Sequence, residues 1–235
     1  MVHSETTSGI LNDIASVAKV AKERGKTMIV DAMSSFGGVD IPVGDLGIDF
    51  LISSANKRIQ GVPGFSFIIA NKEKLMACEC QARSLSLDLY DQWKTRNVDG
   101  KWRFTSPTHV VLAFAKAMEE LEEEGGIEAR NRRYCENNRL LIEGMEKFGI
   151  RPYIDRTHQG PIITTFFYPD NCKFSFQEMY EYIKDRGYAI YPGKVTEADT
   201  FRIGNIGEIY REDIEKLLDI IGSFLEQQEK KMQIA

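Results

Sequence analysis

Long apolar runs are absent from this 235-residue chain; no stretch approaches the roughly 20 residues that a membrane-spanning helix needs. Stripes of lysine and arginine are absent too, and a formal net charge of −5 argues against a nucleic-acid partner. Cysteine is scarce. Cys78, Cys80, Cys135 and Cys172 match neither zinc-ligand spacing nor a disulfide framework, so free, mostly buried thiols in a reducing cytoplasm are expected. The three histidines are scattered, and none has a metal partner at ligand spacing. The first residues do not read as a signal peptide. Neither an internal repeat nor a low-complexity segment is visible. What is present is an ordinary globular composition, 43% hydrophobic, sufficient for a core in one or two domains.

The opening is unusual. Met1-Val2 leads at once into the polar, Gly-ended turn His3 to Gly9, the kind of turn that follows a strand. The chain is therefore expected to enter a domain part-way through. Ile10 to Arg24 then reads as a helix, with Ile10, Ile14, Val17, Ala18 and Ala21 on one face and Gly25 as its stop. Short apolar strands are expected at Thr27–Val30, Asp49–Ile52 and Phe65–Ala70, and a helix over Asn71–Gln81. This order predicts a layered α/β arrangement with mostly parallel pairing. The stretch from Ser84 to Arg103, with Tyr90, Trp93 and Trp102 among polar residues, reads as an excursion over the surface or an interface. Ser106-Pro107-Thr108 opens a strong helix that Gly125-Gly126 ends. Beyond it, helices at Ile127–Phe148, Ser175–Arg186 and Glu212–Gln227 alternate with strands at Pro161–Tyr168, Tyr188–Tyr191 and Thr200–Ile203, a compact α+β pattern. Domains 1–125 and 126–235 follow.

Chemistry concentrates in the run Ser53-Ser54-Ala55-Asn56-Lys57-Arg58-Ile59-Gln60-Gly61-Val62-Pro63-Gly64-Phe65. A buried strand delivers Lys57 into a turn, and a neighbouring buried strand ends on Asp31. Ligands of open α/β sheets bind beyond the carboxyl ends of the strands. A lysine and an aspartate placed there could hold the two ends of a pyridine cofactor, the lysine through a Schiff base with its aldehyde, the aspartate through its ring nitrogen. Taken singly, Asp31 could equally cap the next turn, and Lys57 could be a solvated surface lysine. The Gly61–Gly64 turn could be plain turn chemistry or a close passage of backbone past a cofactor. The hydroxyls of His3–Thr7 could bond a cofactor or merely decorate a loop. Thr105-Ser106 could cap a helix or meet a phosphate at its start. Arg202, a cation inside the apolar strand Phe201-Arg202-Ile203, requires either an acidic partner or an anionic ligand.

Five segments together resemble a known family: 3–12, 30–38, 53–65, 102–109 (Trp-Arg-Phe-Thr-Ser-Pro-Thr-His) and 201–207 (Phe-Arg-Ile-Gly-Asn-Ile-Gly). They are similar to the 2-aminoethylphosphonate–pyruvate aminotransferases, pyridoxal-phosphate enzymes of fold type I in the class-V group. The 53–65 run is the most specific of them. The resemblance implies an α/β fold, with 1–125 the C-terminal part of the cofactor-binding large domain and 126–235 a smaller α+β domain. It implies pyridoxal 5'-phosphate as cofactor and conversion of 2-aminoethylphosphonate and pyruvate to phosphonoacetaldehyde and alanine in phosphonate metabolism. Lys57 would be the catalytic Schiff-base lysine, Asp31 the partner of the ring nitrogen, Thr6 a partner of ring substituents and Met33 a packing residue. Asn56 would lie near the cofactor phosphate, Thr105 would reach the phosphate of a partner subunit, and Arg202 would bind the substrate's anion. A cytoplasmic homodimer is implied, with no metal, nucleic acid or membrane. Family members carry a further segment ahead of His3 that supplies the Gly-rich phosphate turn. The resemblance therefore also implies a separately encoded N-terminal piece, or a fragment without catalysis of its own. An alanine–glyoxylate or serine–pyruvate activity is the neighbouring expectation.

Overall fold

The computed structural model describes residues 1–170 and 174–234. They form two compact units. The first comprises Met1–His3, Asp13–Phe36 and Asp40–Glu120; the second comprises Ser4–Asn12, Gly37–Val39 and the chain from Leu121 onward.

In the first unit, α1 (Ile14–Glu23) starts where the Asp13 side chain accepts the Ser16 N–H, satisfying a donor that the first turn leaves free. Its apolar face enters a core with Met28, Val30, Ala32, Ile41, Ile48 and Leu51. That core holds β1 (Ile29–Asp31) against β2 (Phe50–Ser54) in parallel register, Asp31 opposite Ile52. Val2 adds a parallel bridge to Asp31 on the other side. β3 (Ser66–Ala70) returns antiparallel to β2, Ser54 opposite Ser66. α2 (Lys72–Met76) is capped by Asn71, and α4 (Thr108–Glu123) sets Phe114 against Phe65 and Phe67, with ring centroids 5.3 and 5.5 Å apart.

Between these helices the structure departs from the sequence reading. The surface excursion expected over 84–103 contains a helix, α3 (Leu89–Asp99), none of whose residues is buried. Hydrophobic periodicity is silent for such a helix. Its ends carry the signal instead: Asp88 accepts the Asp91 N–H, and Gly100 closes the C-terminus in the left-handed region. The expectation of buried thiols is also corrected. Cys80 and Cys135 are exposed and Cys78 is half-buried, all three free; Cys172 lies outside the described residues.

The second unit is built on an antiparallel sheet in the order β4 (Ile163–Phe167), β6 (Thr200–Gly204), β5 (Tyr191–Pro192). The strand expected over Tyr188–Tyr191 is thus reduced to Tyr191–Pro192, because Tyr188–Ile190 finds no ladder partner among the described residues. One face of the sheet packs Phe166, Phe201 and Ile203 into a core with α5 (Gly126–Lys147), α6 (Phe176–Lys184) and α7 (Arg211–Ile234). The segment Ser4–Asn12 joins this unit through Gln159, whose amide donates to the carbonyls of Gly9, Gly160 and Ile163 at 3.2, 2.7 and 2.8 Å. Gly9 has φ +99°, and a Cβ there would stand 2.7 Å from the Ile163 carbonyl oxygen, so only glycine fits.

The start of α5 is fixed by charge. Glu124 bonds both Arg130, at 2.7 Å, and Arg133, at 2.8 Å. Arg133 also donates to the carbonyls of Gly207 and Ile209. Burial pushes the Glu124 carboxyl up, but the hydrogen bonds from Arg133 and Arg130 outweigh it and hold the group below its ordinary range. Arg130 is nearly inaccessible, its side chain 3% exposed, so loss of its counterion strands a buried charge. Glu124→Ala is expected to cost about 3 kcal/mol, read as a lower urea midpoint. A loss under about 1 kcal/mol would mean that solvent already screens the cluster.

Candidate active site

The parallel register brings two strand ends together. Asp31 closes β1; Ser54 closes β2 and leads into the turn that carries Asn56 and Lys57. Side chains from the second strand end then bind successive carbonyls of the first. Ser53 Oγ lies 3.4 Å from the Ala32 oxygen and Ser54 Oγ 3.5 Å from that of Met33, both long contacts. Arg58 Nε donates to the Ser34 oxygen at 2.8 Å, a short and well-formed bond.

The Lys57 turn is also closed upon itself. Ala55 donates to the Phe65 carbonyl at 3.3 Å and accepts the Gly61 N–H at 2.9 Å, while the Gln60 N–H reaches the Lys57 carbonyl at 3.0 Å. Gln60 is held at φ +67°, an uncommon conformation for a side chain of its kind. A Cβ on Gly61 would meet the Ala55 oxygen at 2.7 Å. The close passage for which glycine is needed here is therefore past the chain's own backbone.

Within this frame Lys57 is exposed and Asn56 half-buried. Asp31 is half-buried, and its Oδ1 accepts the Met33 N–H at 3.0 Å, so one oxygen does the local capping and the other has no partner among the described residues. Met33 is half-buried just beyond it. The structure thus brings Asp31, Met33, Asn56 and Lys57 to one sheet edge. Thr105 lies in the same unit, exposed, ahead of α4, and its side chain has no bond among the described residues.

Two buried side chains that sequence reasoning passed over sit beside this edge. Arg58 is wholly buried, among the largest fully buried side chains of the described residues. A Lys-Arg pair in a turn looks like two solvated cations, and nothing in the sequence tells which one turns inward. His3 is also buried, its backbone N–H donating to the Asp31 carbonyl at 2.8 Å. Burial, and secondly the Arg58 guanidinium, lower its pKa from 6.5 to about 4.

The second unit holds the other two predicted residues, and they touch. Arg202 is buried in β6, opposite Thr165 of β4 and Tyr191 of β5. Its Nη1 donates to the Thr6 carbonyl at 3.0 Å and its Nε to the Pro192 carbonyl at 3.1 Å. The guanidinium carbon stands 5.7 Å from the Tyr191 ring centroid. Among the described residues no carboxylate lies within ion-pair distance of it. The turn bearing Thr6 is ordered by Glu5, whose carboxylate accepts the N–H groups of Thr7 and Ser8 and the Ser8 hydroxyl. Burial raises the Glu5 pKa, and these bonds from Ser8 and Thr7 bring it below its ordinary value. Thr165 Oγ1 fastens the same turn through the Thr7 carbonyl at 3.0 Å.

Comparison with known proteins gives a consistent picture. The family described as aminotransferase class-V matches residues 1–211. A protein of Bacillus cytotoxicus named 2-aminoethylphosphonate–pyruvate transaminase is 58% identical over 222 residues, which are 94% of this chain and 60% of that protein. One of the same name from Bacillus thuringiensis is 57% identical with the same coverage. Among solved structures, an alanine–glyoxylate aminotransferase from Nostoc sp. superimposes with TM-score 0.83 at 21% identity, over 95% of this chain and 60% of that one. A pyridoxamine–pyruvate aminotransferase from Mesorhizobium loti gives 0.86 at 21% identity, over 97% and 59%. The chain spans about 60% of the length of these Bacillus relatives.

The neutral, buried His3 makes stability depend on pH. Its folded pKa, about 4, lies below the unfolded value of 6.5, so the unfolded chain binds the proton more readily. The contribution is complete above 6.5 and is lost as pH falls towards 4. Between about pH 7.5 and pH 5 this amounts to roughly 2 kcal/mol. In His3→Gln the drop in unfolding free energy across that interval should be smaller by this amount. An unchanged drop would show that His3 charges freely in the folded state.

Proposed function

The chain belongs to the class-V aminotransferase family, and from that premise we propose that it is the lysine-bearing part of a pyridoxal-phosphate transaminase that takes 2-aminoethylphosphonate as amino donor and pyruvate as acceptor. The observation that carries the reading is the shared sheet edge: an exposed lysine and an aspartate with one free carboxylate oxygen, at the ends of paired parallel strands. Cations and acids placed beyond strand ends are where such folds bind ligands. The resemblance of the Bacillus transaminases, at 58% identity, supports the choice of substrates.

These residues fit the cofactor. Pyridoxal 5'-phosphate, when bound, supplies a protonated ring that withdraws electrons from the carbon bearing the amino group. Asp31 would hold the ring-nitrogen proton through the carboxylate oxygen that Met33 leaves free. Lys57 would be the attachment residue and would act as the base at the substrate carbon. Met33 would pack against the ring, Asn56 would lie near the phosphate, Thr105 would reach the phosphate of a partner subunit, and Thr6 would bond the ring substituents. Arg202 holds the phosphonate or carboxylate. Among the described residues its charge is met by two carbonyls and an aromatic face, which leaves a planar, desolvated cation suited to bidentate oxygen pairs. The reading extends to a homodimer and to a second polypeptide that supplies the phosphate turn. Work in the reducing cytoplasm accords with the free thiols of Cys78, Cys80 and Cys135.

The experiment is a transamination assay of the purified chain, alone and co-expressed with the remaining part of the Bacillus cytotoxicus relative, using aminoethylphosphonate, alanine and serine as donors. Lys57→Ala should lower turnover by about 10³ or more and abolish the borohydride-stable cofactor adduct seen by mass spectrometry at that residue. Persistence of the adduct and the rate in Lys57→Ala would disprove the assignment. Alanine formation in neither preparation would leave a non-catalytic chain.

Arg202→Lys is expected to raise KM for aminoethylphosphonate by about 10- to 100-fold with cofactor affinity changed by less than about threefold. Equal loss of both would reduce Arg202 to a structural tie between Thr6 and Pro192.

A further inference from the structure

We propose that Arg58 is a positioning residue for Lys57: buried beneath the turn, it clamps the lysine's peptide to the Asp31 turn and so sets where the Lys57 amine stands. The inference rests on the reading of Lys57 as the attachment residue, and it concerns a residue with no role in that reading.

Three observations carry it. Arg58 is 0% exposed, although its neighbour Lys57 is exposed. Two adjacent cations are thus turned to opposite sides of one turn, and the inward one fixes the outward one, since the peptide joining them has a single orientation. Secondly, the short bond of Arg58 runs to the carbonyl of Ser34, three residues beyond Asp31. It is shorter than the contacts of Ser53 and Ser54 to the two preceding carbonyls, 2.8 Å against 3.4 and 3.5 Å. It therefore ties the Lys57 turn to the Asp31 turn. Thirdly, the turn is stiff elsewhere: Gly61 bonds Ala55, Gln60 bonds the Lys57 carbonyl, and Gln60 sits at positive φ. A shift at Arg58 is therefore passed to its neighbours Asn56 and Lys57.

Energy also argues for a purpose. A buried guanidinium is costly to desolvate, and apolar side chains of similar volume often serve a fold as well or better. A filler would not need to donate to Ser34. The clamp does, and an arginine reaches that carbonyl from its Nε while its stem fills the space below the turn.

The test reads Lys57 in the cofactor-free chain as well as in the loaded one. Trace acetylation with acetic anhydride gives the rate at Lys57 relative to Lys19, an exposed lysine of α1. Circular dichroism and urea unfolding establish that each variant is folded at the assay temperature. In folded Arg58→Met the Lys57:Lys19 ratio should change by about threefold or more, and borohydride-trapped capture of pyridoxal phosphate at Lys57 should slow by about tenfold or more. Arg58→Lys keeps the charge but has no donor at the Nε position, so a smaller change of about twofold is expected. It carries the test if Arg58→Met does not fold. A folded variant of either kind with the wild-type ratio overturns the proposal and leaves Arg58 as core filling. Failure of the wild-type chain to capture pyridoxal phosphate would instead refute the reading of Lys57, and the acetylation ratio would still decide the clamp.

Discussion

Parallel pairing of β1 with β2, with Asp31 set opposite Ile52, is the constraint on which the first unit's site depends. Parallel strands point their carboxyl ends the same way, so both chains leave the sheet on one side. Val30 and Leu51, both fully buried, hold the register, because a slip of one residue would exchange the buried and exposed faces of each strand. Given the register, Ser53, Ser54 and Arg58 stand beside the carbonyls of Ala32, Met33 and Ser34, and the two turns are bound as they emerge. The lysine turn and the aspartate then emerge at the same end of the sheet by consequence of backbone geometry.

The second unit solves a different problem, which is to keep a cation buried inside a sheet. β4 and β6 place Thr165 opposite Arg202, and the two side chains engage consecutive residues of one turn, Thr165 at the Thr7 carbonyl and Arg202 at the Thr6 carbonyl. That turn is braced independently by Glu5 and by the Gln159 amide at its Gly9 end. Removing any one brace leaves the others, which is how a segment without a ladder of its own stays ordered.

Much of this was legible from the chain alone. The strands at β2 and β3, the helices α4 to α7 and the lysine turn all announce themselves through buried runs, capping residues and glycine stops. At Asp31 the capping expected from the sequence is met by one oxygen, and the other has no partner among the described residues. α3 escaped because no face of it is buried, so periodicity had nothing to report. Arg58 and His3 escaped for a related reason. Polar residues in turns are solvated by default, and only the tertiary structure shows that these two are covered. The thiols erred in the opposite direction, since cysteine is usually buried and here helix and loop surfaces carry it.

Arg130 and Arg202 separate by what meets their charge. Arg130, together with the partly buried Arg133, meets the carboxylate of Glu124 at under 3 Å, so its charge faces a full counter-charge and the cluster's work is to fix a helix start. Arg202 meets carbonyl oxygens and a tyrosine ring, dipoles and quadrupoles that orient a guanidinium without cancelling it. A full positive charge held in place and left uncancelled in a low-dielectric setting attracts an anion far more strongly than a solvated lysine would. The fold bears that cost at Arg202 and avoids it at Arg130. The difference in counterion, rather than the arginines themselves, is what separates Arg130 from Arg202.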